Sequence, residues 1–309
     1  MAVNIVINQR HLQIQLKQLE TVWQTVINNY NLSQSAKVLH TSQSSLSKHI
    51  ASLENQLRAD VFVRQGKRLV GLTPIGKQLL PHIEKIFVEI RTIENLTLDF
   101  QNPTKGELSV ATTHTQARYV LPWVIKRFKQ KFPNVRLVLN QADPESIANM
   151  VAQGQADIGI ATESLLAKDN LHCIRYYDWY HHIIVPVGHE LANLQLIDDL
   201  SVIKDYPIVT YHGGFTGRGA IDKVFAQSKI EPNIVLTALD ADVISTYVGL
   251  GMGIGTIAQM AFEGEHYRNL VKIPTEIFGK HVSWIAVRAD GEVRSFTKAF
   301  IAICQEQFG

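Results

Sequence analysis

Gln43 and Ser47 are four residues apart, and so are Ser44 and Lys48. On a helix these four side chains share one face. Their chemistry suits a base-reading surface. Glutamine bonds bidentately to adenine, serine reaches either base edge, and lysine meets guanine or phosphate. Mostly short side chains let such a helix sit deep in a major groove. Just upstream, Ser33 fits the cap of a short helix carrying Ala36, Val38 and Leu39. His40-Thr41-Ser42 then makes a turn, and Ser42 caps the helix that follows. Two short helices joined by a tight polar turn describe a helix-turn-helix. Its candidate DNA contacts are Ser33, Thr41, Ser42, Gln43, Ser44, Ser47 and Lys48. The same spacing also suits a three-helix bundle with a solvated polar face.

The elements around this segment favour the DNA reading. Leu16, Leu19, Val22, Trp23, Val26 and Ile27 give a preceding helix one apolar face, and Leu46, Ile50, Leu53 and Leu57 do the same for the helix with the polar start. Val61 to Arg64 and Leu69 to Thr73 read as strands joined by a glycine-containing turn. Arg64, Lys67 and Arg68 make this hairpin basic, as a wing that reaches phosphates or the minor groove would be; a solvated turn is the plainer alternative. Thr73-Pro74 starts a long helix. Along it Leu79, Ile83, Ile86, Ile90 and Ile93 alternate steps of four and three, the seam of a two-stranded coiled coil. A single amphipathic helix lying on its own domain has the same pattern. Gln101 to Gly106 reads as a hinge. Residues 1–103 hold 11 Lys and Arg against 7 Asp and Glu, whereas the remainder holds 19 against 21. A basic first third fits a polyanion-binding module joined to something else.

Beyond the hinge the periodicity changes. Strands are expected at 107–112, 135–140 and 157–161, with helices at 115–129 and 146–153 between them. This βαβαβ order calls for a parallel sheet. A second set of strands follows at 182–187, 207–211, 234–238 and 254–257, with helices starting at 216 and 241. Strand 282–288 and helix 293–307 end the chain. Two α/β subdomains leave a cleft between them for a small molecule, an architecture that also suits a solute-binding protein or an enzyme, although no nucleophile elbow or metal set is present. Gly249, Gly251, Gly253 and Gly255 alternate after a helix and before a strand, the reverse of a dinucleotide loop, and so read as tight packing. Asp240 and Asp242 precede a helix they can cap. The 12 histidines show no metal spacing, and adjacent His181 and His182 face opposite ways on a strand.

Composition excludes other classes. The 309 residues are 46% hydrophobic and 19% charged, as in globular proteins of about two domains. No apolar run approaches the ~20 residues of a membrane span, and residues 1–10 lack a secretion signal, so a cytoplasmic protein without a membrane partner is expected. Two distant cysteines, Cys173 and Cys304, are expected to stay reduced.

The stretch LSQSAKVLHTSQSSLSKHIASLENQLRADVFVRQGKRLVGLTPIGKQLL resembles the N-terminal region of LysR-type transcriptional regulators. It carries that family's Ala36, Leu39, Ser42, Gln43, Ser45, Leu46, Ser47, Ile50, Leu53 and Glu54, then Leu57, Phe62, Arg64, Leu72, Thr73 and Gly76. The likeness runs from about residue 12 to the end; the ten residues before it depart from the pattern. ATTHTQARYVLP, ADIGIAT, YPIVTYHGGFTGR and LTALDADVISTYVGLGMGIGTIA are similar to the CysB/Cbl branch, which governs cysteine biosynthesis and sulfur assimilation.

The resemblance implies an α/β protein in three parts. These are a winged helix-turn-helix at 12–73, a linker and dimerisation helix at 74–103, and a two-lobed, periplasmic-binding-protein-like effector domain at 104–309. Lobe I would hold about 104–178 and 281–309, and lobe II about 179–280. It further implies no enzyme activity and no cofactor or metal. The effector would be N-acetylserine or O-acetylserine, or sulfate or thiosulfate. The partners would be promoter DNA and RNA polymerase, and the assembly a homotetramer. Carried over residue by residue, the anion site would use Thr113, Thr115, Gln116, Thr162, Trp179 and Thr216. Several of these sit where a helix begins, where free N–H groups and the helix dipole favour anions. Threonines at such places also serve simply as helix caps.

Overall fold

The structure is a computed structural model that describes residues 13–215, 217–262, 267–291 and 293–308. The chain divides into two compact units, one ending at Arg91 and one starting at Thr92. Among the described residues no helix is long and apolar enough to cross a membrane.

In the first unit α1 (Leu16–Ile27), α2 (Leu32–Val38) and α3 (Gln43–Leu57) precede a hairpin of β1 (Phe62–Gln65) and β2 (Arg68–Leu72), and α4 (Pro74–Gln101) follows. The apolar faces read from the sequence meet in one core of Leu19, Val22, Ile50, Leu53, Val61, Phe62 and Ile83. Caps set the helix starts. Ser42 Oγ accepts from the Ser45 amide at 3.2 Å, and Thr73 Oγ1 accepts from the Gly76 amide at 3.1 Å. The cap of α2 is Asn31, whose Oδ1 accepts from the Gln34 amide at 3.1 Å, and not Ser33, which lies inside the helix. The hairpin is antiparallel, and Gly66 takes φ +60° at its tip.

The hairpin is tied to α3 by Glu54. This carboxylate is only 6% exposed. It accepts from the amides of Val61 at 2.8 Å and Phe62 at 3.2 Å, and from the Arg64 guanidinium at 2.6 Å. The seam of α4 splits. Leu79 and Ile83 pack into the core of the first unit, and Phe87 stacks on Trp23 with ring centroids 5.2 Å apart. Ile86 and Ile93 are exposed, Ile93 at 64%, and Ile90 is half-buried.

The second unit holds two mixed sheets. Gly106–Thr112 (β3), Leu121–Lys131 (α5), Val135–Gln141 (β4), Pro144–Ala152 (α6) and Ile158–Ala161 (β5) give the expected βαβαβ core, with β4, β3 and β5 parallel. Leu171–Trp179 (β6) and His281–Arg288 (β12) complete the order β4-β3-β5-β12-β6, with β12 antiparallel to both neighbours. The second sheet contains His181–Pro186 (β7), Ile208–Tyr211 (β8), Ile234–Ala238 (β9), Ile254–Ala258 (β10) and Leu270–Pro274 (β11). Its order is β11-β7-β10-β8-β9, and β8, β9 and β10 are parallel. Helices Arg218–Gln227 (α7) and Ala241–Gly249 (α8) belong to this half, and Ser295–Phe308 (α9) returns to the first. The chain crosses between sheets at Tyr180 and again between β11 and β12.

Strands β6 and β11 extend what periodicity predicts, and both lie on sheet edges. The helix expected at 115–129 begins instead with a π-helical turn, Gln116–Val120, before α5. Such turns are rare and recur at functional sites. Both cysteines are free, and burial pushes the Cys304 thiol up to about 12.

Candidate functional site

The polar start of α3 is presented as the spacing predicts. Thr41, Ser42, Gln43, Ser44, Ser47 and Lys48 are exposed, while Leu46 and Ile50 on the opposite face are buried. Short-range bonds order this surface. Ser33 Oγ donates to Gln43 Oε1 at 3.2 Å. Ser47 Oγ donates to the Gln43 carbonyl at 3.1 Å. His49 turns away, to Thr21 Oγ1 at 3.2 Å. Lys67 and Arg68 stand exposed on the hairpin, whereas Arg64 gives part of its fork to Glu54.

In the second unit the carboxyl ends of the parallel strands in each sheet meet the two interlobe crossings, the usual ligand position in open α/β sheets. Thr113 follows β3, Thr162 follows β5, and Trp179 ends β6. All three are buried, as are Thr115 and Gln116 at the π-helical turn. Thr216 lies outside the described residues. Neither Thr115 nor Thr162 spends its hydroxyl on a helix cap, although each occupies the cap position of the turn that follows. Ser42, Asn31, Asp143 and Asp240, by contrast, all cap with their side chains. The Thr115 side chain lies within hydrogen-bond reach of the Tyr211 phenol, and burial pushes that phenol's ionisation well above its ordinary range. Gln116 is fully committed: its Oε1 accepts from Tyr177 at 2.9 Å and its Nε2 donates to Ser283 at 2.9 Å. It therefore ties the π-helical turn to β6 and β12. Trp179 Nε1 is buried without a hydrogen-bond partner. Arg218 opens α7 and bonds the Tyr211 carbonyl and, at 2.7 Å, Asp222, which fixes this helix start beside the end of β8.

One group of contacts between the lobes was not legible in sequence. Asp240 caps α8 as expected, bonding the Val243 amide at 2.9 Å. Asp242 instead accepts from Tyr119 at 2.6 Å and pairs with Arg118 at 2.8 Å and His114 at 3.3 Å, all from the first lobe. His114, Asp240 and Asp242 place three metal-ligand atoms together. Arg118 already neutralises Asp242, so Asp242 works as an interlobe tether. Replacing Asp242 by alanine leaves three donors without this acceptor. The expected cost is about 1–2 kcal/mol, or roughly 2–4 °C per kcal/mol in the melting of this unit. Calorimetry of the full chain checks it, and an unshifted transition would refute the tether.

The bacterial regulatory helix-turn-helix model of the lysR family matches residues 16–77, and the LysR substrate binding domain model matches 101–309. The chain is 43% identical over 286 residues to the HTH-type transcriptional regulator SsuR of Burkholderia cenocepacia, covering 92% of each protein. It is 39% identical over 291 residues to CysB of the same organism, covering 93% of this chain and 92% of that one. The solved cofactor-binding domain of the Cbl transcriptional regulator superposes with a TM-score of 0.63 at 40% identity, over 67% of this chain and 90% of that domain.

Proposed function

The chain belongs to the LysR family of DNA-binding transcriptional regulators, and on that premise we propose that it adjusts genes of cysteine biosynthesis and sulfur assimilation to a small effector held between the two lobes. The effector is acetylserine, as the N- or O-acetyl form, or a sulfur oxyanion such as sulfate or thiosulfate. Thr113, Thr115, Thr162 and Thr216 offer hydroxyls, Trp179 an indole N–H, and Gln116 positions the turn beside Thr115. The observation that supports this most is the pair of buried threonine hydroxyls at the crevice, Thr115 and Thr162, that do not cap their helices. Neutral donors at strand-to-helix turns hold an anion without a permanent salt bridge, so it binds and leaves as its concentration changes.

The head reads promoter DNA with Gln43, Ser44, Ser47 and Lys48, while Ser33, Thr41, Ser42, Arg64, Lys67 and Arg68 position it on phosphates. Ile86, Ile90 and Ile93 of α4 hold two heads at half-site spacing, with Leu79 and Ile83 anchoring the helix beneath them. The assembly is a cytoplasmic homotetramer that addresses RNA polymerase. Effector in the crevice shifts the equilibrium between lobe arrangements, and with it the footprint.

The two functions separate by substitution. Gln43→Ala is expected to weaken promoter binding by about 1–3 kcal/mol and leave effector calorimetry unchanged. Thr113→Ala is expected to weaken N-acetylserine or sulfate binding by about 1 kcal/mol and leave promoter binding without effector intact. Footprints identical with and without saturating effector would refute the regulatory reading, and unchanged calorimetry of Thr113→Ala would refute the site.

A further inference from the structure

The two strands that cross between the lobes each open with a histidine, His181 on β7 and His281 on β12. Register places His281 opposite Trp179, and their rings stack at 4.4 Å with 23° between planes. The His181 ring stands almost perpendicular to that of His281, 4.7 Å away. Both imidazoles press on Gly217, the residue that opens α7 at φ +70°. A Cβ there would lie 2.8 Å from His181 Cε1 and 3.0 Å from His281 Cε1. The start of a ten-residue helix therefore meets the two rings directly. His281 is 4% exposed, and its Nε2 is buried without a hydrogen-bond partner, as is Trp179 Nε1 beside it. Two residues further along β12, on the same face, Ser283 holds Gln116. A single face of the first sheet thus runs from the Gln116 lock to these two unpartnered nitrogens.

We propose that His281 is a further, titratable ligand of the crevice, taking up one proton from solvent as a doubly charged tetrahedral oxyanion binds between Trp179 and the start of α7. The inference rests on the crevice being the effector site. The donors assigned there, threonine hydroxyls and an indole N–H, are all neutral. A dianion that leaves water for so buried a place needs a compensating charge. The imidazolium supplies it and presents an N–H from either ring nitrogen to the oxyanion.

The surroundings of His281 fit a ligand-driven proton. Burial holds its imidazole below the ordinary range, while the Glu163 carboxylate pulls the other way. Glu163 itself bonds the Val282 amide at 3.0 Å. Also near are His181 on β7, the Tyr211 phenol 6.2 Å from His181, Arg218 beside Gly217 on α7, which is paired with Asp222 at 2.7 Å, and, at the end of β6 and just before β12, Asp178 and Lys280, which pair with each other at 3.2 Å. A dianion against the ring raises its affinity for a proton. Between the pKa of the empty site and that of the occupied one, anion affinity then falls as pH rises, by up to tenfold per unit for one proton. A singly charged acetylserine gains less from the same proton.

The test is calorimetry of the full-length protein with sodium sulfate at about pH 6, 7 and 8, in buffers of different ionisation enthalpy. The expected result is uptake of up to one proton and an affinity that falls with pH. His281→Asn is expected to bind sulfate about tenfold more weakly at the lowest pH and to show no pH slope, whereas His181→Asn keeps the uptake. The wild-type proton count needs no variant, so a poorly folding substitution leaves the test intact. Sulfate binding without proton uptake, with parallel slopes in wild type and His281→Asn, overturns the inference. Binding of N-acetylserine but not sulfate overturns it and leaves the effector reading standing; binding of neither overturns both.

Discussion

Glu54→Ala is expected to lower the unfolding free energy of the first unit by about 3 kcal/mol, and thereby to abolish promoter retention at 37 °C while leaving effector binding intact. The size follows from what is stranded. One buried carboxylate satisfies the amides of Val61 and Phe62, which sit where the chain leaves α3 and enters the hairpin. Alanine leaves both N–H groups without this acceptor in a buried setting, and a buried donor left unmade costs more than the bond contributes when made. Loss of the Arg64 pair adds less, because that guanidinium is 41% exposed and screened. For a unit of this size the transition is expected to drop by about 15 °C. Glu54→Gln keeps an acceptor for the amides and is expected to lose only about 1 kcal/mol. Scanning calorimetry of the full chain separates the outcomes: equal, small shifts for the two variants would show that Glu54 does not tie the hairpin to α3.

The position of Glu54 was legible as part of the family's pattern, but its role was not, since its partners are set by packing. The same division runs through the molecule. Amphipathic helices and capped starts are local signals, so α1, α3, α4 and the hairpin emerge from spacing alone. The parallel strands β3, β5, β8 and β10 read clearly because they are buried on both faces. Strands β6 and β11 do not. β6 mixes His172, Arg175 and Asp178 with a Tyr176-Tyr177 pair, and β11 contains Lys272 and ends at Pro274. Each pairs with a single neighbour, so one edge is left unpaired and the apolar pattern weakens.

The candidate site divides in the same way. Thr113, Thr115, Gln116, Thr162 and Trp179 are found through motif resemblance. His281, Ser283 and Asp242 need the register of β12 on β6 or the approach of one lobe to the other, contacts between segments more than a hundred residues apart. Nor does a heptad seam say which residues face a partner. Leu79 and Ile83 share the spacing of Ile86 and Ile93, yet the first pair serves the unit's own core.

Among the alternating glycines, Gly253→Ala is expected to have the largest effect on the second unit, at about 3–5 kcal/mol. Gly253 has φ +154°, and a Cβ would fall 2.2 Å from the Pro207 carbonyl oxygen and 2.7 Å from its carbon. That oxygen accepts from the Ile254 amide at 2.9 Å, the bond that registers β10 on β8. The obstacle is backbone held in a sheet, so relief requires displacing the start of two central strands. Its neighbours meet softer limits. At Gly255 a Cβ would meet the side chains of Ile184 and Val248 at 2.6 and 2.7 Å, which can turn at a cost of about 1–3 kcal/mol. At Gly251, φ +80° with open space, only the left-handed backbone penalty of about 1 kcal/mol applies. The expected order of destabilisation is therefore Gly253, Gly255, Gly251, measured as midpoint shifts in denaturant titration. Because β8 and β10 end at Tyr211 and Ala258, and Tyr211 OH accepts from the Ala258 amide at 3.0 Å, displaced strands carry the second wall of the crevice with them. Gly253→Ala is thus expected to weaken effector binding even at temperatures where the unit stays folded. An inverted order, with Gly251 the most sensitive, would mean that a ligand-facing or partner-facing role, and not strand packing, dictates this run of glycines.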